Sequence, residues 1–261
     1  MEVLTLLLAG AVAGTFAGLL GIGGGIIIVP VLAMVFETQG TSIDVLMHIS
    51  IGTSLATIVI TSISSIRAHQ KRGAIDWRVF RTITPGIVLG GFVGAAIAKQ
   101  IPGEELRLIF AIFMLVIALQ MYFGSTTKPH RKLPDTPGLL VAGGVIGTIS
   151  SIMGVGGGSM SVPFLTWCNV AIRNAVATSS AIGLPIALAG TLGFIISGWN
   201  VEARPVWSLG YVNLPAFLSV VTASTLMAPV GAWVAHTISP LILKRIFAFF
   251  LLILGLRMLL T

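Results

Sequence analysis

Charge is what this 261-residue chain has least of: charged residues are 9% of it and hydrophobic ones 56%, where soluble domains carry about 25% charged residues. That scarcity excludes an ordinary soluble domain. The eight acids, Glu2, Glu37, Asp44, Asp76, Glu104, Glu105, Asp135 and Glu202, all fall at the ends of apolar stretches or between them. No carboxylate is therefore set to relay protons through lipid, and none is paired for acid–base catalysis. Cysteine is nearly absent. The single Cys168 excludes an intramolecular disulfide and a multi-cysteine metal site, and reads as a buried apolar residue. The four histidines lack H-x-x-x-H spacing, so no metal site, cofactor or catalytic residue is expected, and the chain does not read as an enzyme. A basic leader is missing too: Met1-Glu2-Val3-Leu4 carries an acid, which argues against a cleaved signal peptide. The formal charge of +7 comes from fifteen Lys and Arg, seven of them in two short connections. That pattern sets membrane topology and gives no nucleic-acid surface.

What is present is a succession of apolar stretches about 20 residues long, continuous rather than alternating, which predicts an all-α integral membrane protein with the lipid bilayer as its partner. Each half divides into four. The first half has Val3 to Phe36, Leu46 to Ile66, Val79 to Ala98 and Leu106 to Phe123. The second has Leu139 to Cys168, Val176 to Ser197, a stretch within Val206 to Ala235, and Leu241 to Leu260. The halves are repeats. GTFAGLLGIGGGIIIVPVL from Gly14 matches GTISSIMGVGGGSMSVPFL from Gly147 at nine of 19 positions, and Val93 to Met121 matches Val230 to Met258 at 13 of 29. The offset runs 133, then 125, then 137, so the length changes fall in connections, which are expected to be loops. Residues 1–125 form the first repeat, 126–137 a cytoplasmic linker and 138–261 the second repeat.

Basic residues arbitrate the orientation. Arg67, Lys71 and Arg72 follow the second stretch of the first half, and Lys128, Arg131 and Lys132 lie in the linker; both belong inside. In the second half Arg173, Lys244 and Arg245 take the complementary connections. Keeping them inside turns that half upside down, so inverted repeats are favoured over parallel ones. The first stretch of each repeat is broken by glycines, and the total is eight to ten membrane segments according to whether it crosses once or twice. Trp77, Trp199, Trp207 and Tyr211 read as interfacial anchors, and His48 and His236 as interface residues near segment ends.

The breaks are Gly21-Ile22-Gly23-Gly24-Gly25, ahead of Pro30, and Gly154-Val155-Gly156-Gly157-Gly158, ahead of Pro163. Each glycine costs a helix interior about 1 kcal/mol relative to alanine, and each proline removes a backbone donor. Neither break ends in GK[ST] or opens a strand–loop–helix unit, so nucleotide-loop readings fail. Close helix packing needs only small residues at every fourth position. Three consecutive glycines exceed that need and suit an anion cradle, in which the next half-helix offers unpaired N–H groups and its positive dipole end. The expected substrate-binding residues are Gly23, Gly24, Gly25, Thr53 and Ser54 in the first repeat, with Gly156, Gly157, Gly158, Ser159, Thr178 and Ser179 in the second. Thr53-Ser54 and Thr178-Ser179 are singled out because they recur at equivalent positions, and Ser159 and Ser161 replace Ile26 and Ile28, so the second repeat makes the more polar wall.

Together the two glycine blocks, Gly52-Thr53-Ser54, the run Lys71-Arg72-Gly73-Ala74-Ile75-Asp76-Trp77, and Ala175-Val176-Ala177-Thr178-Ser179-Ser180 resemble the sulfite exporter TauE/SafE family of membrane permeases, of the 4-toluene sulfonate uptake type. Ala74 stands where such proteins often have a polar residue. The resemblance covers almost the whole chain. It implies export of small sulfur-containing oxyanions, sulfite or organosulfonates, across a bacterial inner cell membrane by a multi-pass secondary transporter; it implies no oligomeric state. A passive anion channel and a membrane-embedded protein without transport activity are the other readings.

Overall fold

The structure is a computed structural model that describes residues 2–20, 24–123, 132–237 and 240–260. The first half holds α1 (Glu2–Leu20), α2 (Gly25–Thr38), α3 (Ile43–Gln70), α4 (Trp77–Gln100) and α5 (Gly103–Phe123). The second holds α6 (Thr136–Met153), α7 (Gly158–Trp167), α8 (Ile172–Ser197), a hairpin of β1 (Ser208–Leu209) and β2 (Val212–Asn213), α9 (Leu214–Thr237) and α10 (Pro240–Leu260). Among the described residues the regular structure is all α-helix apart from that hairpin. Among the described residues α3, α4, α5, α6 and α8 are each long and apolar enough to cross a membrane.

Local chemistry sets the boundaries. Asp76 caps α4 by accepting from the N–H groups of Arg78 and Val79, and Asp135 caps α6 by accepting from Gly138 N–H. These caps satisfy amides that a helix start leaves orphaned. Gly154, in the left-handed region at φ 64°, ends α6 as Val155 N–H returns to Ser150 O, the type of stop glycine provides. Pro30 and Pro163 each occupy the sixth position of the short helix after a break, α2 and α7.

The halves are exchanged in their packing. α1 packs most extensively against α9, and α4 against α6, so the first helix of each half lies on the fourth helix of the other. Glycine makes both seams possible: an added Cβ at Gly90 would stand 2.1 Å from Gly144 O, and one at Gly14 2.3 Å from Ser224 Cα. Neighbouring contacts also give directions. Gly86, Gly90 and Gly94 meet Leu140, Gly144 and Thr148 in turn, so α4 and α6 are parallel; Gly10 meets Val220 and Gly14 meets Ser224, so α1 and α9 are parallel. By contrast Gly52, Leu55 and Ser62 of α3 meet Phe194, Gly190 and Gly183 of α8, which makes those two antiparallel. α5 and α10 are antiparallel as well, with Gly255 against Leu115 and Ala111 while Arg107 and Leu108 share a cleft with Met258 and Leu259.

α3 and α8 form the enclosed centre, whereas Leu89 on α4, Leu119 on α5 and Val141 on α6 point outward as lipid-facing side chains would. The connection after α8, expected as a loop with Tyr211 anchored at the interface, is folded inward. Tyr211 is buried, stacks on His48 with ring centroids 5.0 Å apart, and lies edge-on to Phe194. Burial raises its phenol pKa, opposed by the Arg204 charge. His48 is likewise no solvated interface residue: it is 3% exposed with Nε2 2.9 Å from Ala98 O. The cause is visible at Gly52, whose missing Cβ leaves room for Tyr211 O to approach and lets the hairpin lie on α3. Trp199 and Trp207 are exposed and Cys168 is buried, as expected.

Candidate functional site

The two helix breaks meet. A Cβ added to Gly25 would stand 2.7 Å from Gly154 O and 3.0 Å from Val155 Cα, so the start of α2 lies directly on the end of α6. Gly23 lies outside the described residues. Ser54 reinforces the junction, its hydroxyl donating to Gly154 O at 2.8 Å across 100 residues of sequence.

Beside the junction is a cavity of about 20 Å³, room for one water-sized guest. The second break supplies Gly156, Gly157 and Gly158; α3 supplies Ile58, Thr61, Ser62 and Ser65; α8 supplies Ser179, Ser180 and Gly183. Gly157 is wedged against α8, where an added Cβ would stand 2.6 Å from Ser179 O and 3.0 Å from Gly183 N. The first intrahelical bond of α7 runs from Ser161 N–H to Gly157 O at 2.8 Å. The N–H groups of Gly158, Ser159 and Met160 precede it and belong to the orphaned first turn. Ser179 is completely buried, and among the described residues its hydroxyl has no partner. A buried unsatisfied hydroxyl costs about 1–3 kcal/mol, so its retention calls for a guest or a function.

Thr53 and Thr178 do something else. Thr53 Oγ1 accepts from Asn213 N–H at 3.0 Å, and Asn213 in turn caps α9 by accepting from Ala216 N–H. Thr178 Oγ1 accepts from Asp76 N–H at 2.9 Å, and Asp76 caps α4. Each threonine therefore holds the capping residue of the other half's fourth helix, and its oxygen is engaged away from the cavity. Ser159 is half-buried on the first turn of α7 and Gly24 is buried at the start of α2; neither lines the cavity.

Thr61, Ser62, Ser65 and Ser180 line the cavity but sit in runs of hydroxyls, and are not among the residues expected from the sequence. The signal was their spacing: Ile58, Thr61, Ser62 and Ser65 fall at i, i+3, i+4 and i+7, one face of a helix. Among the described residues no cluster of His, Cys, Asp or Glu could hold a metal ion.

The family model for sulfite exporter TauE/SafE matches residues 6–258. The chain belongs to the sulfite exporter TauE/SafE family. Within it, the chain is 37% identical to a "Probable membrane transporter protein" of Haemophilus influenzae, over 98% of this chain and 97% of that one. It is 30% identical to a similarly named protein of Methanocaldococcus jannaschii, over 98% and 94% of the two chains, and 30% identical to YunE of Bacillus subtilis, over 76% and 80%. No solved structure matches this TauE/SafE chain. Relatives named as membrane transporters and helices long enough to span make it a multi-pass membrane protein.

Proposed function

We propose that this protein is a secondary transporter, an exporter, of small sulfur-containing oxyanions such as sulfite or organosulfonates across the cell membrane. Two inverted repeats, residues 1–125 and 138–261 joined by a cytoplasmic linker, rock about an anion held at the second helix break.

The observation that carries this reading is the cavity at the junction of the breaks, walled by backbone glycines and hydroxyls. Glycine lets an oxyanion reach backbone N–H groups, and the start of α7 adds about half a positive charge. A sulfonate head offers three oxygens to such donors. Inversion is supported by the antiparallel course of α3 against α8 and of α5 against α10, and by the exchanged pairs α1–α9 and α4–α6. Rocking of one repeat on the other would open the site to each side of the membrane in turn.

Purified protein in detergent tests the reading by thermal shift against sulfite, thiosulfate, sulfoacetate and taurine, since only a ligand of the folded state raises the melting temperature. A rise with at least one is expected, together with saturable flux of the same ion in proteoliposomes. Stability indifferent to all of them would overturn the anion site, and flux beyond carrier rates would replace the carrier with a channel.

A further inference from the structure

Resting on the transport reading just given, we propose that the connections after α3 and after α8 are the two gates of the cavity. The first closes it toward the cytoplasm with Thr178 as its latch, and the second closes it toward the outside with Thr53. Because α3 and α8 are antiparallel, the two connections emerge at opposite faces of the molecule. Arg67, Lys71 and Arg72 put the first one in the cytoplasm. Neither runs free. Ala74 and Ile75 of the cytoplasmic connection are buried with Ala177 and Ala181 of α8, Ile66 of α3 packs on that cluster, and Asp76 N–H donates to Thr178 Oγ1 at 2.9 Å. In the external connection Tyr211 and Val212 are buried, and Asn213 N–H donates to Thr53 Oγ1 at 3.0 Å. Each connection thus leaves one half and is latched on the central helix of the other. The cavity lies between them: along α3 the order is Gly52 and Thr53 under the hairpin, then Ile58 to Ser65 on the cavity, then Ile66 against the cytoplasmic connection.

The two gates are unequal in strength. The external one is held at several points. Tyr211 stacks on His48, lies edge-on to Phe194 and donates its N–H to Phe194 O at 3.2 Å. Gly198 lets it come so close that an added Cβ would stand 2.6 Å from Tyr211 N. Asn213, whose N–H makes the latch, also accepts from Ala216 N–H and donates to Ser208 Oγ at 3.2 Å. The cytoplasmic gate has the Thr178 bond and a small apolar contact made largely of alanines. Gly73, just before that contact, takes the left-handed φ of 60° and has open space around its Cβ position, which suits a pivot. The lighter gate opens at the lower free energy, so the cavity is loaded from the cytoplasm, as export requires. Arg67, Lys71 and Arg72 are exposed around that gate and present positive charge to an approaching anion.

A thiol in the cavity reports which gate is open. Thr61→Cys places one there, Ser65→Cys is a second reporter, and the full chain with its own buried Cys168 sets the background. Each reporter is labelled with a membrane-impermeant maleimide in spheroplasts, which present the external face, and in inverted vesicles, which present the cytoplasmic one. The labelling rate follows the open population when reclosing is fast. The reporters are expected to react faster from the cytoplasmic face; faster reaction from outside would overturn the order of the gates. Thr178→Val removes the latch acceptor and is expected to raise the cytoplasmic rate about tenfold while leaving the external rate unchanged. Thr53→Val is expected to do the converse. Thr178→Ser and Thr53→Ser keep the acceptor oxygen and should restore the reporter's own rates. Ile75→Ala weakens the cytoplasmic contact without touching Thr178 and should also raise the cytoplasmic rate alone. A rise from both faces in either valine variant would mean general loosening and would overturn the gates, and so would rates unmoved by both variants. The oxyanion reading fails separately: if no oxyanion raises the melting temperature but labelling stays face-specific, the gates stand without it. Ligand binding with labelling indifferent to both latches leaves the anion site and removes the gates.

Discussion

The two glycine breaks share the pattern G-x-G-G-G with a proline five residues on, yet they are folded differently. Gly24 precedes α2 in the left-handed region at φ 69°, whereas its counterpart Gly157 precedes α7 at φ −58°. The helices they open differ as well. Ile26, Ile27 and Ile28 of α2 are buried among apolar neighbours, while Ser161 of α7 is buried with an unpartnered hydroxyl. Of the six buried side-chain polar atoms without a partner among the described residues, five belong to the second half: those of Ser150, Ser151, Ser161, Ser179 and Thr191. The start of α2 is a packing surface and α7 carries hydroxyls, while α3 of the first half still supplies Thr61, Ser62 and Ser65 to the cavity. The two breaks share a pattern and differ in what surrounds them.

That asymmetry can be broken by substitution. The largest effect is expected at the shared junction. Gly154→Ala combines a left-handed backbone, which costs a side chain about 1–2 kcal/mol, with overpacking against Val29 and Ile51 at about 1–3 kcal/mol. Gly25→Ala meets only the overpacking, against Gly154 O and Ile58, and should lose less. Equilibrium unfolding in detergent measures both; equal losses would mean that the left-handed turn at Gly154 contributes nothing.

The threonine clamps come next. Thr53→Val leaves the Asn213 N–H without its acceptor, and Thr178→Val does the same to the Asp76 N–H, at about 1–3 kcal/mol each. Thr53→Val is expected to cost more, because Asn213 is buried and Asp76 is half-buried. The same unfolding measurement checks the order, and a reversed order would show that burial does not set the difference.

The smallest effects should separate the two equivalent serines. Ser54→Ala removes a made hydrogen bond to Gly154 O and is expected to lower stability by about 1 kcal/mol. Ser179→Ala deletes an unsatisfied hydroxyl and is expected to be neutral or slightly stabilising. Comparable destabilisation by both would mean that the two serines have equivalent structural roles.

Much of this architecture was legible in the sequence, because helix positions depend on local composition. The broken first stretch of each half was read from its glycines, whereas the Asp76 and Asp135 caps, equally local, came from the structure. The site was legible only in part. The glycine blocks pointed to a junction, but Thr53 and Ser179 look alike as letters in a chain. A hydroxyl that fixes a backbone and one that awaits a ligand differ only in what faces them, and the partner of Thr53 is 160 residues away. The inward hairpin was hidden for the same reason: Tyr211 in a short polar connection reads as an anchor until Gly52 is known to lie beneath it.

The exchanged helix pairs bear on how the chain is made. Gly10 and Gly14 of α1 emerge roughly two hundred residues before the face they fit, on α9 at Val220 and Ser224. α4 waits a shorter time for α6. The first half therefore cannot complete its packing by itself, and α1 must wait without its partner until α9 has been inserted.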